Sequence, residues 1–281
     1  MVSVNAYLDV GNSRIKVSVG GKPGADLPSE TCEWPALTSG SDQTDKALSQ
    51  SLHSTFSRFG KRKIKRFYLA SVVEPARFER LSAALRQLAP QAELVALKVK
   101  KRCCRVRTDY APNQLGIDRF CAVIEAYARA EQHAAIVINC GTAVTVDAVD
   151  ANGVHQGGVI MPGVLAALKG LENAAPALAT PERSNTLQPL SYPNAQFAHS
   201  QIGLPLETQS GRVAGMRLLF GAGIEQAILA LKAALADDNT AVMISGGDAA
   251  KIHELLDPQL KVRVEPNLVL SGLIRIARAR R

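Results

Sequence analysis

Two short glycine-containing segments of the chain combine groups that bind phosphate. The segment Asp9 to Lys16 holds a carboxylate, a glycine, two small polar side chains and a lysine, and Asn139 to Ala143 holds a glycine followed by a threonine. Each lies between two apolar runs, which predicts a β-hairpin whose tight turn directs backbone N–H groups toward an anion. Two such turns facing one cleft can hold a nucleoside triphosphate.

The first segment offers a separate role for each polar side chain. Asp9 suits Mg²⁺, which takes oxygen ligands and keeps several waters. Gly11 allows the backbone to approach a phosphate closely. Asn12 and Ser13 supply hydrogen bonds, and Lys16 supplies a positive charge. An ordinary β-turn would contain the same Gly-Asn pair, and it is the second glycine turn that favours phosphate binding.

A third segment, Gly116 to Arg119, places a carboxylate beside a guanidinium. A carboxylate in a crevice can accept the proton of an attacking hydroxyl, and an arginine fork can hold a carboxylate or a phosphate. The same residues also suit a surface ion pair at a helix start, where the helix dipole stabilises Asp118. The residue types alone favour the surface ion pair.

Further glycines mark places where the backbone turns sharply or lies close to another group. They occur at Gly157-Gly158, at Pro162-Gly163 and at Ser245 to Gly247. The last segment follows a buried strand and opens a helix, so it can seat an anion or an adenosine. Loop or turn formation alone explains all three equally well.

The elements that position these groups alternate between strands and helices. Residues 20–35 are predicted to be a loop or an irregular edge, and 174–205 a long loop or lid. Each half has the order hairpin, helix, strand, helix, which predicts α/β layers with a ligand between the halves. Hydrophobic spacing predicts strands at 2–10, 15–19, 67–73, 94–99, 134–138, 143–149, 154–160, 241–244 and 262–264, and helices at 44–59, 75–88, 116–130, 213–235, 249–256, 268–279 and from 164 onward.

Composition excludes several classes of protein. The net charge is +8, but no aromatic residues interleave with the basic runs to stack bases, so nucleic acid is not an expected partner. The five cysteines lack a CxxC pair, which argues against a zinc site or a disulfide framework. Neither a P-loop nor a Rossmann fingerprint occurs. No signal peptide or membrane-spanning run is expected, and a reducing cytoplasm fits this composition.

Seven motifs together resemble the type III pantothenate kinases of bacteria, which belong to the acetate kinase, sugar kinase, Hsp70 and actin superfamily. They follow the family's order and cover nearly the whole chain, so that the set is specific although each motif is weak. The motifs are DVGNSRIK at 9–16, QLGIDR at 114–119, NCGTAVTVD at 139–147, GGVIMPG at 157–163, TQSGRVAG at 208–215, SGGD at 245–248 and PNLVLSGL at 266–273.

The resemblance implies ATP-dependent phosphorylation of pantothenate to 4′-phosphopantothenate, the first step of coenzyme A synthesis. It implies an α/β fold of duplicated ribonuclease-H-like (actin-like ATPase) domains with a cleft between them. The two domains are expected at residues 1–115 and 116–281. Family members are homodimers, which predicts a cytoplasmic homodimer with the substrate site near the subunit contact.

The resemblance also implies roles for individual residues. Asp118 would be the catalytic base, Asp9 would lie near Mg²⁺, and Asn139 stands where the family often has an aspartate that binds potassium or ammonium. Asn139 keeps an oxygen ligand and loses the negative charge. The ATP-binding residues would be Asp9, Val10, Gly11, Asn12, Ser13, Arg14, Ile15, Lys16 and Thr142, and the pantothenate-binding residues Tyr110, Gly116, Ile117, Asp118, Arg119 and Thr208.

Two other functions remain open at this stage. A kinase of the same superfamily could act on another small alcohol, such as a sugar. A regulatory protein of the same fold would make use of the basic runs, and salt-dependent DNA binding would reveal it. The acids and bases Asp9, Lys16, Asp118 and Arg119 favour an enzyme.

Overall fold

The computed structural model describes residues 3–24, 26–35, 41–111, 113–178 and 206–280. They pack into two compact units. The first comprises residues 1–129, 153–155 and 267–281, and the second 130–152 and 156–266. This division by packing differs from the expected domains 1–115 and 116–281, and the place where the two repeats of the fold meet stays a prediction.

Single strands or runs of strands are separated by helices along the chain, as the hydrophobic spacing predicts. Short 3₁₀ turns lie at Pro176–Leu178 and Pro258–Leu260. The strands are β1 (Ser3–Val10), β2 (Arg14–Val19), β3 (Glu30–Glu33), β4 (Lys63–Ser71), β5 (Glu93–Ala96), β6 (Arg102–Cys103), β7 (Val106–Thr108), β8 (Ala135–Cys140), β9 (Ala143–Val149), β10 (Val154–Pro162), β11 (Ala241–Gly246) and β12 (Arg263–Val264). The helices are α1 (Ser41–Ser57), α2 (Pro75–Leu88), α3 (Ile117–Arg129), α4 (Val164–Ala174), α5 (Thr208–Leu235), α6 (Ala249–His253) and α7 (Leu268–Ala279).

The sheet of the first unit has the order β3-β2-β1-β4-β5, with β1 antiparallel to β2 and parallel to β4. Alternation along β1 decides which side chains reach the core. Leu8 and Val10 are fully buried in a cluster that includes Leu52 of α1 and Leu81 of α2. Asp9 therefore projects from the opposite face, the side on which α3 and α7 pack against this sheet.

Helices α3 and α7 approach each other closely within the first unit. A Cβ on Gly272 of α7 would overlap the carbonyl oxygen of Cys121 on α3, so this position requires glycine. Glu125, 1% exposed, pairs with Arg129 at 3.0 Å and with Arg275 of α7 at 2.9 Å. The C-terminal helix thus fixes the helix that carries Asp118.

A small hairpin of β6 and β7 precedes α3. Its turn residues, Cys104 and Arg105, have φ values of 50° and 68°. Two consecutive left-handed residues are typical of a type I′ hairpin turn. The first residues of β10, Val154 and His155, pair in parallel with β7.

The second unit contains the strand order β12-β11-β8-β9-β10. One face of α5 packs into its core through Phe220, Ile224 and Ile228. By length and composition alone α5 could also cross a membrane, although Arg217 and Glu225 interrupt its apolar residues. The criterion is weak because core helices of soluble proteins satisfy it too.

The structure refines two local predictions, and a third lies largely outside the described residues. Residues 20–35, expected to be a loop or an irregular edge, contain the short edge strand β3. The strand expected at 94–99 is the shorter β5, and the hairpin strands β6 and β7 were not predicted. The loop expected at 174–205 falls largely on 179–205, which lie outside the described residues.

Candidate active site

Asp9 and Lys16 face each other across the first hairpin. They are direct partners in the antiparallel β1–β2 register, so their side chains lie on the same face of the sheet. The charges of the two groups interact strongly enough to affect both pKa values. The sequence predicted this hairpin, and the register shows why an acid and a base seven residues apart act together.

Asp118 occupies the first turn of α3, in the same unit. Its Oδ1 accepts the backbone N–H of Arg119 at 2.8 Å. A Cβ on Gly116 would overlap this Oδ1, so glycine leaves the space that the carboxylate occupies. The negative charge of Asp118 acts on Asp9. The structure therefore brings Asp9, Lys16 and Asp118 together, as the chemistry of phosphoryl transfer requires.

The electrostatics of this cluster favour a bound cation. Burial raises the pKa of Asp9 to about 7, and the nearby Asp118 carboxylate contributes to the rise while Lys16 opposes it. Burial also lowers the pKa of Lys16, against the effect of Asp9. Mg²⁺ is commonly bound by one or two carboxylates together with substrate phosphates. The carboxylates of Asp9 and Asp118 fit this donor set.

The turn between Asp9 and Lys16 is held from behind by two side chains that the sequence did not single out. The Trp34 indole N–H donates to the carbonyl of Gly11 at 2.8 Å, and Arg77 donates to the carbonyl of Asn12 at 2.9 Å. The Arg77 guanidinium also lies over the Trp34 ring at 4.7 Å. These contacts fix two peptide planes of the turn, and with them the direction of the following N–H groups.

Gly11 makes a close contact within the turn. A Cβ there would lie 3.3 Å from the Arg14 carbonyl oxygen, which accepts the Gly11 N–H at 3.1 Å, so a side chain would press on the turn backbone although the residue has no left-handed φ. Space for a ligand close to the backbone would be a second reason for a glycine, as the sequence suggested.

A second group of side chains lies beside Asp118 within the first unit. The Tyr110 ring stacks on His155 with centroids 5.3 Å apart, and the Arg119 guanidinium lies 5.6 Å from the Tyr110 ring centroid. Thr108 Oγ1 contacts His155 Nδ1 at 3.3 Å. The predicted substrate residues Tyr110 and Arg119 are thus neighbours. Sequence reasoning missed Thr108 and His155, because only the β7–β10 pairing brings His155 here.

The second glycine turn, in the second unit, joins β8 to β9 as predicted. Gly141 donates its N–H to the Ala143 carbonyl at 3.0 Å, and the Thr142 carbonyl accepts the N–H of Gly163 at 3.0 Å. A Cβ on Gly163 would overlap the carbonyls of Gly141 and Thr142. The Pro162-Gly163 motif is therefore explained by packing against this turn. Thr142 itself is exposed.

Asn139 lies beside two other oxygen-bearing residues. In the registers of β8 with β9 and with β11 it is opposite Thr145 and Ser245. Their chain neighbours Ile138, Val144 and Ile244 belong to the core of this unit, so the three polar residues share the other face of the sheet. Hydroxyl and amide oxygens are suitable ligands for a hard cation.

The remaining predicted residues are less informative. Thr208 is the exposed first residue of α5, in the second unit. Val10 and Ile15 are fully buried in the first core, so only their backbone groups can contact a ligand. Gly246 has a φ of 109°, and a Cβ there would overlap the carbonyl of Cys140, so a close backbone approach explains the SGGD motif.

Comparison with known proteins identifies the family. A model of the type III pantothenate kinase family matches residues 6–195. The type III pantothenate kinases of Herminiimonas arsenicoxydans and Halorhodospira halophila are 32% and 33% identical over 278 residues, which cover 96% of this chain and 96% of each relative. The chain belongs to the type III pantothenate kinase family. Its activity is the ATP-dependent phosphorylation of pantothenate in coenzyme A biosynthesis, as predicted.

Solved structures agree with the expected fold class. Component A of the Acidaminococcus fermentans (R)-2-hydroxyglutaryl-CoA dehydratase is 13% identical with a TM-score of 0.53, covering 99% of this chain and 96% of that one. A Campylobacter jejuni protein assigned to the Baf family of transcriptional activators is 18% identical with a TM-score of 0.51, covering 97% of both chains. These likenesses concern the fold, and the duplicated ribonuclease-H-like, actin-like class is confirmed.

Proposed function

We propose that Asp118 is the general base of the phosphoryl transfer from ATP to pantothenate. The observation that carries this proposal is the grouping of Asp118 with Asp9 and Lys16 on one side of the first sheet. Asp118 orients the pantothenate hydroxyl and accepts its proton as the phosphoryl group transfers. The carboxylate is already fixed by the Arg119 N–H, so little reorganisation is needed.

We place ATP along the turn from Asp9 to Lys16. The N–H groups of the turn bind phosphate oxygens, and Lys16 neutralises part of their charge. Mg²⁺ held by Asp9 and the phosphates would supply the remaining positive charge. Thr142, on the second turn, is proposed as a further nucleotide contact. The raised pKa of Asp9 supports a role as a metal ligand, since a divalent cation stabilises its ionised form.

We place pantothenate beside Tyr110 and Arg119. The Arg119 guanidinium pairs with the pantothenate carboxylate, for which its fork geometry is suited. The stacked rings of Tyr110 and His155 form an amphipathic wall for the rest of the molecule. Gly116, Ile117 and Thr208 complete the proposed set.

A monovalent cation is proposed at Asn139, with oxygen ligands from Thr145 and Ser245. Because an amide replaces the aspartate that the family often has here, we expect weaker binding of potassium or ammonium. Activity should therefore depend less on potassium than in a relative with the aspartate.

A cytoplasmic homodimer is proposed as the working form. The outer face of α5 supports dimerisation, since Leu218, Leu219 and Leu229 are 48–51% exposed on it. An apolar face of this kind commonly marks a protein interface. The cytoplasm is supported by the five free cysteines, all of them among the described residues.

A coupled assay that follows ATP consumption tests the substrate. Pantothenate should be phosphorylated, and glucose and other sugars should not. The same assay with and without potassium tests the cation proposal. Sugar turnover without pantothenate turnover would favour the alternative kinase, and salt-dependent DNA retardation without any turnover would favour the regulatory protein.

The variant Asp118→Asn tests the base. We expect kcat to fall by about a hundredfold to ten-thousandfold, the usual contribution of a general base, while thermal stability does not fall, since the repulsion with Asp9 is relieved. Glu74→Gln, which neutralises another carboxylate of the first unit, serves as the control and should retain kcat. Wild-type kcat in Asp118→Asn would remove Asp118 from this role.

A further inference from the structure

Two of the five cysteines have no part in the proposed reaction and are not buried. Cys32, Cys121 and Cys140 are at most 1% exposed, whereas Cys103 and Cys104 are partly exposed at the turn of the β6–β7 hairpin. All five lie among the described residues. A reagent that meets the folded protein therefore encounters one site with two adjacent thiols.

The turn geometry brings these two thiols into contact. Cys103 is paired with Val106, and the two intervening residues, Cys104 and Arg105, both have left-handed φ values. Such values are strained for residues with a side chain, where Asn-Gly is the usual choice. In this conformation the two Sγ atoms are 3.5 Å apart.

The surroundings give the two thiols different reactivities. The hydrogen bond with Cys104 lowers the pKa of Cys103 to about 7, and the cations Lys100 and Arg280 act in the same direction. The same hydrogen bond and burial raise the pKa of Cys104, with a small opposing effect of Arg275 and a raising effect of Cys121. Cys103 is therefore the nucleophile of the pair, because the thiolate is the reactive form.

We propose that Cys103 and Cys104 form a redox-active dithiol that exchanges with anionic low-molecular-weight disulfides. In the first step the Cys103 thiolate attacks one sulfur of the disulfide, whose S–S bond breaks and releases one thiolate. In the second step Cys104 loses its proton to solvent and attacks Cys103 Sγ, which releases the second thiolate. The protein loses two electrons and forms a Cys103–Cys104 disulfide, and the reagent gains two electrons.

This disulfide would be readily reversible. Adjacent Cα atoms are about 3.8 Å apart, closer than the usual minimum of about 4.4 Å across a disulfide. Disulfides under such strain have oxidising potentials and are labile or regulatory. The pair therefore suits a switch, and a permanent crosslink is not expected.

The hairpin is connected to the residues that we place around pantothenate. Lys101 Nζ donates to the carbonyls of Asp109 and Tyr110, both at 2.9 Å, and the Thr108 N–H donates to the Lys101 carbonyl at 3.0 Å. Closing the disulfide must alter the turn beside Lys101, and Tyr110 will move with it. On the proposed function, oxidation should raise the KM for pantothenate about tenfold, equivalent to about 1.4 kcal/mol, and leave the KM for ATP unchanged.

The chemistry can be tested without any measurement of activity. The full-length protein is treated with oxidised glutathione, an anionic disulfide, or with cystamine, a cationic one, and analysed by intact mass and peptide mapping. We expect loss of two hydrogens at Cys103–Cys104, formed faster with oxidised glutathione. Cys104→Ser should stop at a glutathione adduct on Cys103, and Cys103→Ser should react slowly. The rate should rise with pH through about 7.

Several results would overturn the proposal that Cys103 and Cys104 form a redox-active dithiol. They are a stable glutathione adduct on wild-type Cys103, equal reactivity of Cys103→Ser, or modification of Cys32 or Cys140 ahead of the pair. Arg280→Gln should slow the reaction with oxidised glutathione, whereas Lys61→Gln, the same charge change elsewhere, should not. Equal rates in these two variants would contradict the proposed preference for anionic disulfides.

Kinetics of the reduced and oxidised protein test the coupling separately. A pantothenate KM that rises on oxidation and is restored by dithiothreitol supports it, and the double variant Cys103→Ser/Cys104→Ser should be insensitive. An unchanged KM in the oxidised protein would refute the coupling. If the protein failed to phosphorylate pantothenate, the mass measurements would still show whether Cys103 and Cys104 form a disulfide.

Discussion

At the scale of single residues, the site depends on charges that the fold holds close together at a cost in stability. Asp9 and Asp118 repel each other, and burial further disfavours the ionised form of Asp9. Such a cluster is expected where catalysis requires a metal ligand and a base side by side. The cost in stability follows from the same interactions, because no bound cation offsets the repulsion between Asp9 and Asp118 in the ligand-free protein.

Removing the Asp9 charge should therefore stabilise the protein. The folded-state pKa is about 7 against an ordinary value of 3.8, so the ionised form loses stability as pH rises from about 4 to about 7. We expect the stability advantage of Asp9→Asn to grow by about 1–2 kcal/mol between pH 5 and pH 8, allowing for partial exposure. Urea unfolding at the two pH values measures it. An advantage that shrinks with pH would contradict the assigned ionisation.

The same variant should lose activity, which separates stability from function. Without the carboxylate the proposed Mg²⁺ site would have one ligand fewer, so the Mg²⁺ concentration needed for half-maximal rate should rise. A titration of rate against Mg²⁺ tests this. Asp45→Asn, a surface carboxylate paired with Arg80, is the control and should show the wild-type dependence.

Trp34 provides a second prediction at this scale. In Trp34→Phe the ring can still lie under Arg77, but the hydrogen bond to Gly11 is lost, so the turn between Asp9 and Lys16, where we propose that ATP binds, becomes less fixed. A net hydrogen bond contributes about 0.5–1.5 kcal/mol, so the KM for ATP should rise about threefold to tenfold with the KM for pantothenate unchanged. Equal changes in both constants would indicate a general structural effect.

Trp34 also offers a direct signal, since it is the only tryptophan in the chain. ATP binding at the turn should change its fluorescence, because the indole N–H is bonded to a residue of that turn. Fluorescence titration with ATP, and with pantothenate as the comparison, measures this. A response to pantothenate alone would place the nucleotide elsewhere.

At the scale of elements, α3, which carries the proposed base Asp118, is positioned by α7. Gly272 lets α7 approach α3 so closely that any side chain would overlap the Cys121 carbonyl. The buried Glu125 joins the same two helices through its pairs with Arg129 and Arg275. The position of Asp118 is therefore determined by residues more than a hundred positions away in sequence.

Gly272→Ala should separate these helices. Overpacking of this kind costs about 1–3 kcal/mol, and the displacement of α3 should lower kcat more than it raises either KM. Gly170→Ala in α4, where a Cβ meets nothing, is the matched control and should be neutral or slightly stabilising. Thermal unfolding and steady-state kinetics of both variants provide the measurement. Equal behaviour of the two variants would contradict the close packing.

At the scale of the whole molecule, the exposed face of α5 decides the proposed assembly. Leu218 and Leu219 are about half exposed, while Phe220 on the same helix packs into the core of the second unit. An apolar outer face explains why α5 meets the criterion for a membrane span, since both of its sides are apolar. Pairing with a second copy would remove that face from water.

A charge on this face should therefore dissociate the proposed homodimer. We expect Leu219→Asp to be monomeric at concentrations where the wild type is a dimer, as measured by sedimentation velocity, with helicity retained. Val264→Asp, an exposed apolar residue on β12, is the control and should remain dimeric. A dimeric Leu219→Asp would locate the interface elsewhere.

The sequence by itself determined what depends on neighbours along the chain. Both hairpins, the bounds of α2 and α7, the family and the residues that carry charge at the turns follow from local spacing and motif order. These features are readable because hydrophobic period and turn chemistry act over a few residues. The strands β6 and β7 were not predicted, and the bounds of the edge strand β3 were not either, because strands of two to four residues have almost no periodic signal.

Only the tertiary structure decided how distant segments meet. Three contacts join residues far apart in sequence. Trp34 and Arg77 support the turn between Asp9 and Lys16, His155 stacks on Tyr110, and α7 packs closely against α3. The residue types favoured a surface ion pair and gave no sign of the electrostatic effect on Asp9 that comes from Asp118. The fold brings it near Asp9 and Lys16, and burial with repulsion then sets their pKa values.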